Sequence, residues 1–262
     1  MNPTEAVTLS VEGRVAIITI QNPPVNVLTD AVRDGLYACA RKANEDPTIA
    51  AVIFTGSGEK AFMAGANIKG FPDMIGKPGA AYGYARTIYE VWDYIRTMNK
   101  PTIAAIRGYC LGAGMELSLV CDLRVADTDS RFGFPEIALG LFPGGGGTQR
   151  MTKIAGPALT KEMIFTGKPI SSERAYEAGY LNYVTPKGEA LKKAKEIAGQ
   201  IASFSVPILA LAKTAITEGI GTTDREGISL EAEYWQDAFM TEDIQEGVSA
   251  FLEKRKPDFH DC

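Results

Sequence analysis

The sequence predicts an α/β layered core followed by a helical C-terminal part. Two observations carry that prediction. Up to Ser171, short apolar runs alternate with segments of helical period, the pattern of strands covered by helices. From Ser171 onward the segments are mostly helical.

Taken in order, Val7–Val11 and Arg14–Ile20 are β-rich runs around Glu12-Gly13, a hairpin signal, and Asn22-Pro23-Pro24 breaks the second. Thr29-Asp30 opens a helix with Val32, Leu36, Ala40 and Ala43 at helical spacing, stopped by Asp46-Pro47. The continuous apolar run Ile49–Thr55 reads as a buried strand. Gly70–Gly83 is rich in Gly and Pro yet carries Phe71, Met74 and Ile75, and it reads as a flexible wall over a pocket. Ile88, Val91, Trp92 and Ile95 give Tyr84–Met98 a helical period. Thr102–Ile106 is a second buried strand, followed by a helix over 113–120 and a strand over Leu123–Ala126.

In the C-terminal part, Ser171-Ser172-Glu173 opens a helix that Gly179 closes. Lys187–Ala202, Val206–Glu218, Arg225–Phe239 and Glu242–Arg255 are the further predicted helices. Thr223 with Glu226 makes a capping box. The last helix begins with Glu242 and Asp243 and ends with Lys254, Arg255 and Lys256, matching the helix dipole. Ile244, Val248, Phe251 and Leu252 form an apolar stripe along it.

The composition narrows the function. A hydrophobic share of 45% over 262 residues is enough for a sizeable core. A net charge of −5 argues against a general nucleic-acid or anionic-membrane surface, where a basic excess is expected. No apolar run reaches membrane-spanning length, and MNPTEAVTLSVEG lacks the basic and apolar regions of a signal peptide. Cys39, Cys110, Cys121 and Cys262 show no CxxC or zinc spacing, so they read as reduced thiols in a reducing, cytoplasmic compartment. There is no metal-ligand cluster, no dinucleotide fingerprint and no GxSxG, and His260, the only His, lies in a polar tail.

The chemistry concentrates in Gly108–Arg150. Glu116 is bracketed by Met115, Leu117, Leu119 and Val120, and Glu136 lies in FPEIAL. A carboxylate in apolar surroundings is costly unless it is paired, hydrogen-bonded or kept neutral. Beside each lies a glycine-rich turn, Gly112-Ala113-Gly114 and Gly144-Gly145-Gly146-Gly147, where backbone N–H groups can approach a ligand closely. A Glu in a first helical turn often only answers the dipole, and glycine runs are often mere turns. The conjunction with KAFMAGANIKG at 60–70, a strand end followed by a small-residue turn, points to a site.

AFMAGANIK at 61–69, GYCLGAGMELSLVCD at 108–122 and FGFPEIALGLFPGGGGTQR at 132–150 together resemble the crotonase (enoyl-CoA hydratase/isomerase) superfamily. The resemblance runs over nearly the whole chain. Asn67 stands where the family usually has Asp, and Ala113 where Gly is usual. The resemblance implies a spiral of ββα units over 1–195 and a helical trimerisation region over 196–262. It also implies an enoyl-CoA hydratase of fatty-acid or related acyl-CoA degradation, with a double-bond isomerase or a hydrolase of a specialised acyl-CoA as alternatives. An RNA-binding homologue is the alternative from another class, against which the acidic balance argues.

By the same resemblance, the N–H groups of Ala66 and Ala113 form an oxyanion hole, Glu116 holds and activates water, and Glu136 transfers the proton at C2. Gly144 helps fix the water or a carboxylate, and Ala64, Ala66, Asn67, Ile68 and Lys69 contact CoA. Phe71, Met74, Trp92 and Phe142 are candidates for the acyl pocket. The expected cofactor set is empty, with no metal, because CoA arrives as part of the acyl-CoA substrate. The expected assembly is a homotrimer or homohexamer, with neither nucleic acid nor membrane as partner.

Overall fold

A computed structural model describes residues 6–261. Met1–Glu5 and Cys262 lie outside the described residues, and with them the start of the N-terminal reading and the fourth thiol. The first hairpin is β1 (Val7–Glu12) against β2 (Val15–Ile20), antiparallel, with Gly13 turning at φ 58°. Helix α1 (Asp30–Glu45) starts where Thr29 accepts a hydrogen bond from the Val32 N–H, and it buries Val32, Leu36, Ala40 and Ala43. The predicted helical face is the face in the core.

Three successive units then repeat one step. Strands β3 (Ala51–Gly56), β5 (Thr102–Ile106) and β7 (Leu123–Asp127) join a six-stranded sheet of order β1-β2-β3-β5-β7-β10, where β10 is Tyr183–Thr185. The strand following each one, β4 (Ala61–Ala64), β6 (Tyr109–Leu111) or β8 (Arg131–Gly133), joins a second sheet of four, whose last member is β9 (Ile170–Ser171). After each pair the chain turns into helix: α2 (Ala80–Arg96), α3 (Ala113–Val120) and α4 (Gly147–Thr166). Pairing is parallel from β2 through β10 and from β4 through β8, as crossover connections require. This is the spiral of ββα units.

The large sheet is buried on both faces, which explains the continuous apolar run of β3. The main core packs Ile18, Phe54, Leu36, Trp92 and Ile106 on one side. On the other, Ile17, Ile53, Ile103 and Val125 meet Ala190, Ala194, Ile197 and Ala198 of α6 (Ala190–Ile201), which follows the short α5 (Ser172–Glu177). The predicted division at 195/196 therefore falls inside a core helix. The remaining helices are α7 (Val206–Gly219), α8 (Asp224–Ala238) and α9 (Glu242–Glu253), and the Thr223–Glu226 capping box opens α8. Among the described residues, no single helix is long and apolar enough to cross a membrane.

Two local differences from the sequence reading stand out. The wall segment is not irregular: Ile68–Met74 is a 3-10 helix capped by Asn67, and α2 begins at Ala80 rather than Tyr84. The polar tail is tied down, because Asp243 accepts from the N–H groups of His260 and Asp261, while Asp261 pairs with Arg14.

Candidate active site

The three glycine-marked segments meet at the start of α3. All eight residues of α3 are buried, as befits a helix that is apolar nearly all round. Its first turn is pinned by the Gly112 N–H donating to the Gly133 carbonyl at 2.9 Å and by the Glu116 N–H donating to the Gly112 carbonyl at 3.0 Å. The Gly65 N–H donates to the Leu111 carbonyl at 2.8 Å, which draws the turn after β4 against the turn before α3. Gly114 lets them touch, since a methyl there would overlap the Met63 carbonyl. Flanking N–H groups are used, including Asn67 to the Leu28 carbonyl at 2.8 Å, but those of Ala66 and Ala113 make no hydrogen bond among the described residues. Two donors on adjoining turns, one at a helix N-terminus, suit a developing negative charge.

Glu116, in the first turn of α3, is buried. Its Oε1 accepts from the Gly145 N–H at 2.6 Å and the Gly147 N–H at 3.2 Å. The carboxylate is thus held by Gly145 and Gly147 rather than by Gly144, which is exposed beside them. Arg150 steadies this loop by donating to the Gly145 carbonyl at 2.9 Å. Burial pushes the Glu116 carboxyl up to about 7, against the two loop N–H groups and Arg150, which favour its charge, and with help from the charge of Glu136.

Glu136 sits in the first turn of the 3-10 helix Pro135–Leu139. Its Oε2 is buried without a hydrogen-bond partner among the described residues, and its Oε1 lies 2.7 Å from where a methyl on Gly112 would stand. Burial raises its carboxyl above the ordinary range, opposed by its own backbone N–H. Both carboxyls therefore hold protons more tightly than free ones, Glu136 against the Gly112 turn and Glu116 against the Gly145–Gly147 loop.

This has a consequence for stability. The native state keeps a proton on Glu116 between pH 4.5, the ordinary value, and about 7, so wild-type stability falls as pH rises through that window. Glu116→Gln should gain stability over wild type at pH 8 and lose most of that advantage at pH 5, read from urea midpoints. A gap independent of pH would contradict this.

The remaining candidates divide. Ala64, Ala66 and Asn67 line the turn, where the Asn67 side chain accepts from the Lys69 N–H at 3.3 Å, while Ile68 and Lys69 are exposed beyond it. Phe71 packs edge-on against Tyr84 at 5.8 Å between ring centroids, with Met74 partly covered nearby in the same 3-10 helix. Phe142 is exposed, and so are the Val248, Phe251 and Leu252 positions of the α9 stripe. Trp92 requires a correction as an acyl-pocket residue: it has no exposed surface, because the helical face it shares with Ile88 and Ile95 packs into the core. The roles of Gly145, Gly147 and Arg150 had no distinct signal beyond the glycine run itself. Groups of three or more His, Cys, Asp or Glu able to hold a metal do not occur among the described residues.

Fold and site together define an α/β protein with paired backbone donors beside one buried and one half-buried carboxyl. A family profile described as enoyl-CoA hydratase/isomerase matches residues 10–262. The crotonyl-CoA hydratase of Syntrophomonas wolfei is 36% identical over 97% of this chain and 98% of its own. The short-chain-enoyl-CoA hydratase of Clostridium acetobutylicum is 38% identical over 95% of each. The crystal structure of an enoyl-CoA hydratase from Bacillus anthracis superposes with a TM-score of 0.91 at 35% identity, covering 98% of this chain and 100% of that one. The chain belongs to the enoyl-CoA hydratase/isomerase family.

Proposed function

We propose that this protein is an enoyl-CoA hydratase that adds water across the 2,3 double bond of an enoyl-CoA thioester. The observation that carries the reading is the pair of raised carboxyls, the buried Glu116 and the half-buried Glu136, beside the turns bearing two unused N–H donors. An isomerisation needs one proton carrier; a hydration needs a base toward water and an acid toward carbon.

In this reading the thioester oxygen lies between the N–H groups of Ala66 and Ala113. One carboxyl enters ionised and the other protonated, a division favoured by their mutual repulsion. The water oxygen bonds to C3 while its proton passes to Glu116, the proton of Glu136 goes to C2, and the pair ends with the one proton it began with. Which group carries it at each stage belongs to the coupled pair. Gly144 is assigned a hydrogen bond to the water. Lys69, exposed and in no ion pair among the described residues, is assigned to the CoA phosphates, with Ala64, Asn67 and Ile68 beside it. Phe71, Met74 and Phe142 are assigned to the acyl chain. No step calls for a metal or nicotinamide, since N–H groups and carboxyls supply the charge stabilisation and proton transfer. The names of the relatives favour a short acyl chain. Hydration rates over a panel of enoyl-CoAs of increasing length test this; turnover of none would overturn it.

We assign the C-terminal helices beyond α6 to a homotrimer or a hexamer of two trimers. Support comes from the apolar side chains left uncovered there, Ile216, Ile228, Trp235, Met240, Phe251 and Leu252. Light scattering at micromolar concentration should return at least three times the 28.2 kDa chain mass, and a monomer would contradict it. A cytoplasmic setting fits the unpaired thiols of Cys39, Cys110 and Cys121.

A further inference from the structure

The turn that carries the Ala66 N–H is fastened by a segment that the mechanism does not use. Between β2 and α1, the Leu28 N–H donates to the Gly65 carbonyl at 2.9 Å and the Leu28 carbonyl accepts from the Asn67 N–H at 2.8 Å. This is a one-residue parallel bridge opposite Ala66. In such a bridge the bonds go to the residues on either side of the bridged one, which turns its own N–H and C=O away from the partner. Leu28 thus engages both neighbours of Ala66 and leaves the Ala66 N–H free for a ligand. The Val25 carbonyl adds a third bond, accepting from the Ala64 N–H at 3.0 Å.

Segment 25–28 is itself anchored by Asn26, which is 1% exposed. Its Nδ2 donates to the Ser57 carbonyl at 3.0 Å and to the Ala61 carbonyl at 2.9 Å, at the two ends of the β3–β4 connection. Its Oδ1 accepts from the Asn22 N–H at 3.0 Å, closing the loop on itself. The backbone is left-handed there, with φ 53°, a conformation that Asn adopts more readily than most residues with a Cβ. Gly56 makes room for the amide, since a methyl at that position would stand 2.8 Å from Nδ2. Asn combines tolerance of this backbone with a short side chain that donates twice and accepts. One loop therefore grips β4 at both ends: Asn26 at its first residue, Val25 at its last, and Leu28 on the turn beyond.

We propose that Asn26 is a positioning residue of the oxyanion site, holding Leu28 against the 65–67 turn so that the Ala66 N–H stays aimed at the thioester oxygen. The proposal rests on the reading of Ala66 as a thioester donor. Every bond in the chain from Asn26 to that turn is made in the structure.

Two variants test it. Asn26→Gly keeps the left-handed backbone and removes all three side-chain bonds, while Asn26→Asp keeps the acceptor for the Asn22 N–H and loses both donated bonds. The probe is a short saturated acyl-CoA labelled with carbon-13 at the thioester carbonyl, which binds without reacting. In the wild type its infrared carbonyl band should lie below that of the free thioester, because two N–H donors weaken the C=O bond. In both variants the band should move back part of the way, and the Leu28 and Asn67 amides should exchange their hydrogens faster. For a short enoyl-CoA, kcat should fall by about 10²-fold with KM little changed, the loss expected of a misplacement of about 1 Å. Lower melting temperatures with an unmoved band and unaltered kcat would assign Asn26 to stability alone and overturn the proposal. A wild-type Leu28 amide that exchanges as fast as in an unfolded chain would overturn it without any variant. So would a wild-type band equal to that of the free thioester, since Ala66 would then be no donor. If the band lies low in the wild type and rises in the variants but no enoyl-CoA is turned over, the positioning role stands and the hydratase reading falls.

Discussion

Replacing either carboxyl by its amide, Glu116→Gln or Glu136→Gln, should slow hydration of a short enoyl-CoA by about 10²–10⁴-fold, the usual loss for one proton-transfer partner. The amide preserves shape: at position 116 it still offers Oε1 to the Gly145 and Gly147 N–H groups, so the loop has no reason to move. What disappears is the proton traffic. The double variant should lose far less than the product of the single losses, because both groups serve one water and one enolate-like state. Affinity for a saturated acyl-CoA should barely change, since the thioester is held by backbone N–H groups. If Glu116→Gln retains turnover while Glu136→Gln abolishes it, the reaction is an isomerisation, and one carboxyl suffices. Near-normal rates in both variants would remove the acid–base role altogether.

Gly114→Ala should be nearly as damaging, by a different route. The new methyl has nowhere to go but into the Met63 backbone carbonyl, and neither partner is a flexible side-chain end. Overpacking of this kind costs about 1–3 kcal/mol of stability. The strain falls between the end of β4 and the start of α3, whose contact sets the spacing of the Ala66 and Ala113 donors. Losing one oxyanion donor lowers kcat by about 10²–10³-fold, so kcat of the folded variant should fall toward that range. Gly83→Ala is the control: Gly83 lies within α2, where a methyl meets nothing within 4 Å, and the change should be neutral or slightly stabilising. Circular dichroism melts and steady-state kinetics on both variants separate these outcomes. A Gly114→Ala enzyme with unaltered kcat would mean that the donor spacing does not control the rate.

Much of this was legible in the residues because local chemistry and tertiary role coincide. Thr102–Ile106 and 113–120 read as strand and helix at the observed bounds, since each is mostly apolar and flanked by Gly or Pro. The carboxyls were legible for the converse reason, being polar where nothing structural asks for it. Periodicity alone did not reveal which sheet each strand enters, because β3 and β4 are apolar alike; the family resemblance supplied the spiral. The glycine run concealed its register: four identical residues cannot disclose which N–H groups point at Glu116, and the turn at Gly146 (φ 102°) selects Gly145 and Gly147. Trp92 misled because an aromatic near a site resembles a pocket wall, although its helical spacing with Ile88 and Ile95 already placed it in the core.

The central claim is that water adds across the double bond while both carboxyls handle its protons. The most direct measurement is product analysis after turnover of a short 2-enoyl-CoA in oxygen-18-labelled heavy water. The account predicts a 3-hydroxyacyl-CoA carrying one labelled oxygen at C3 and one deuterium at C2, formed about 10²–10⁴-fold more slowly in Glu116→Gln. A product that remains unsaturated, with deuterium exchanged into the chain and no labelled oxygen, would contradict it.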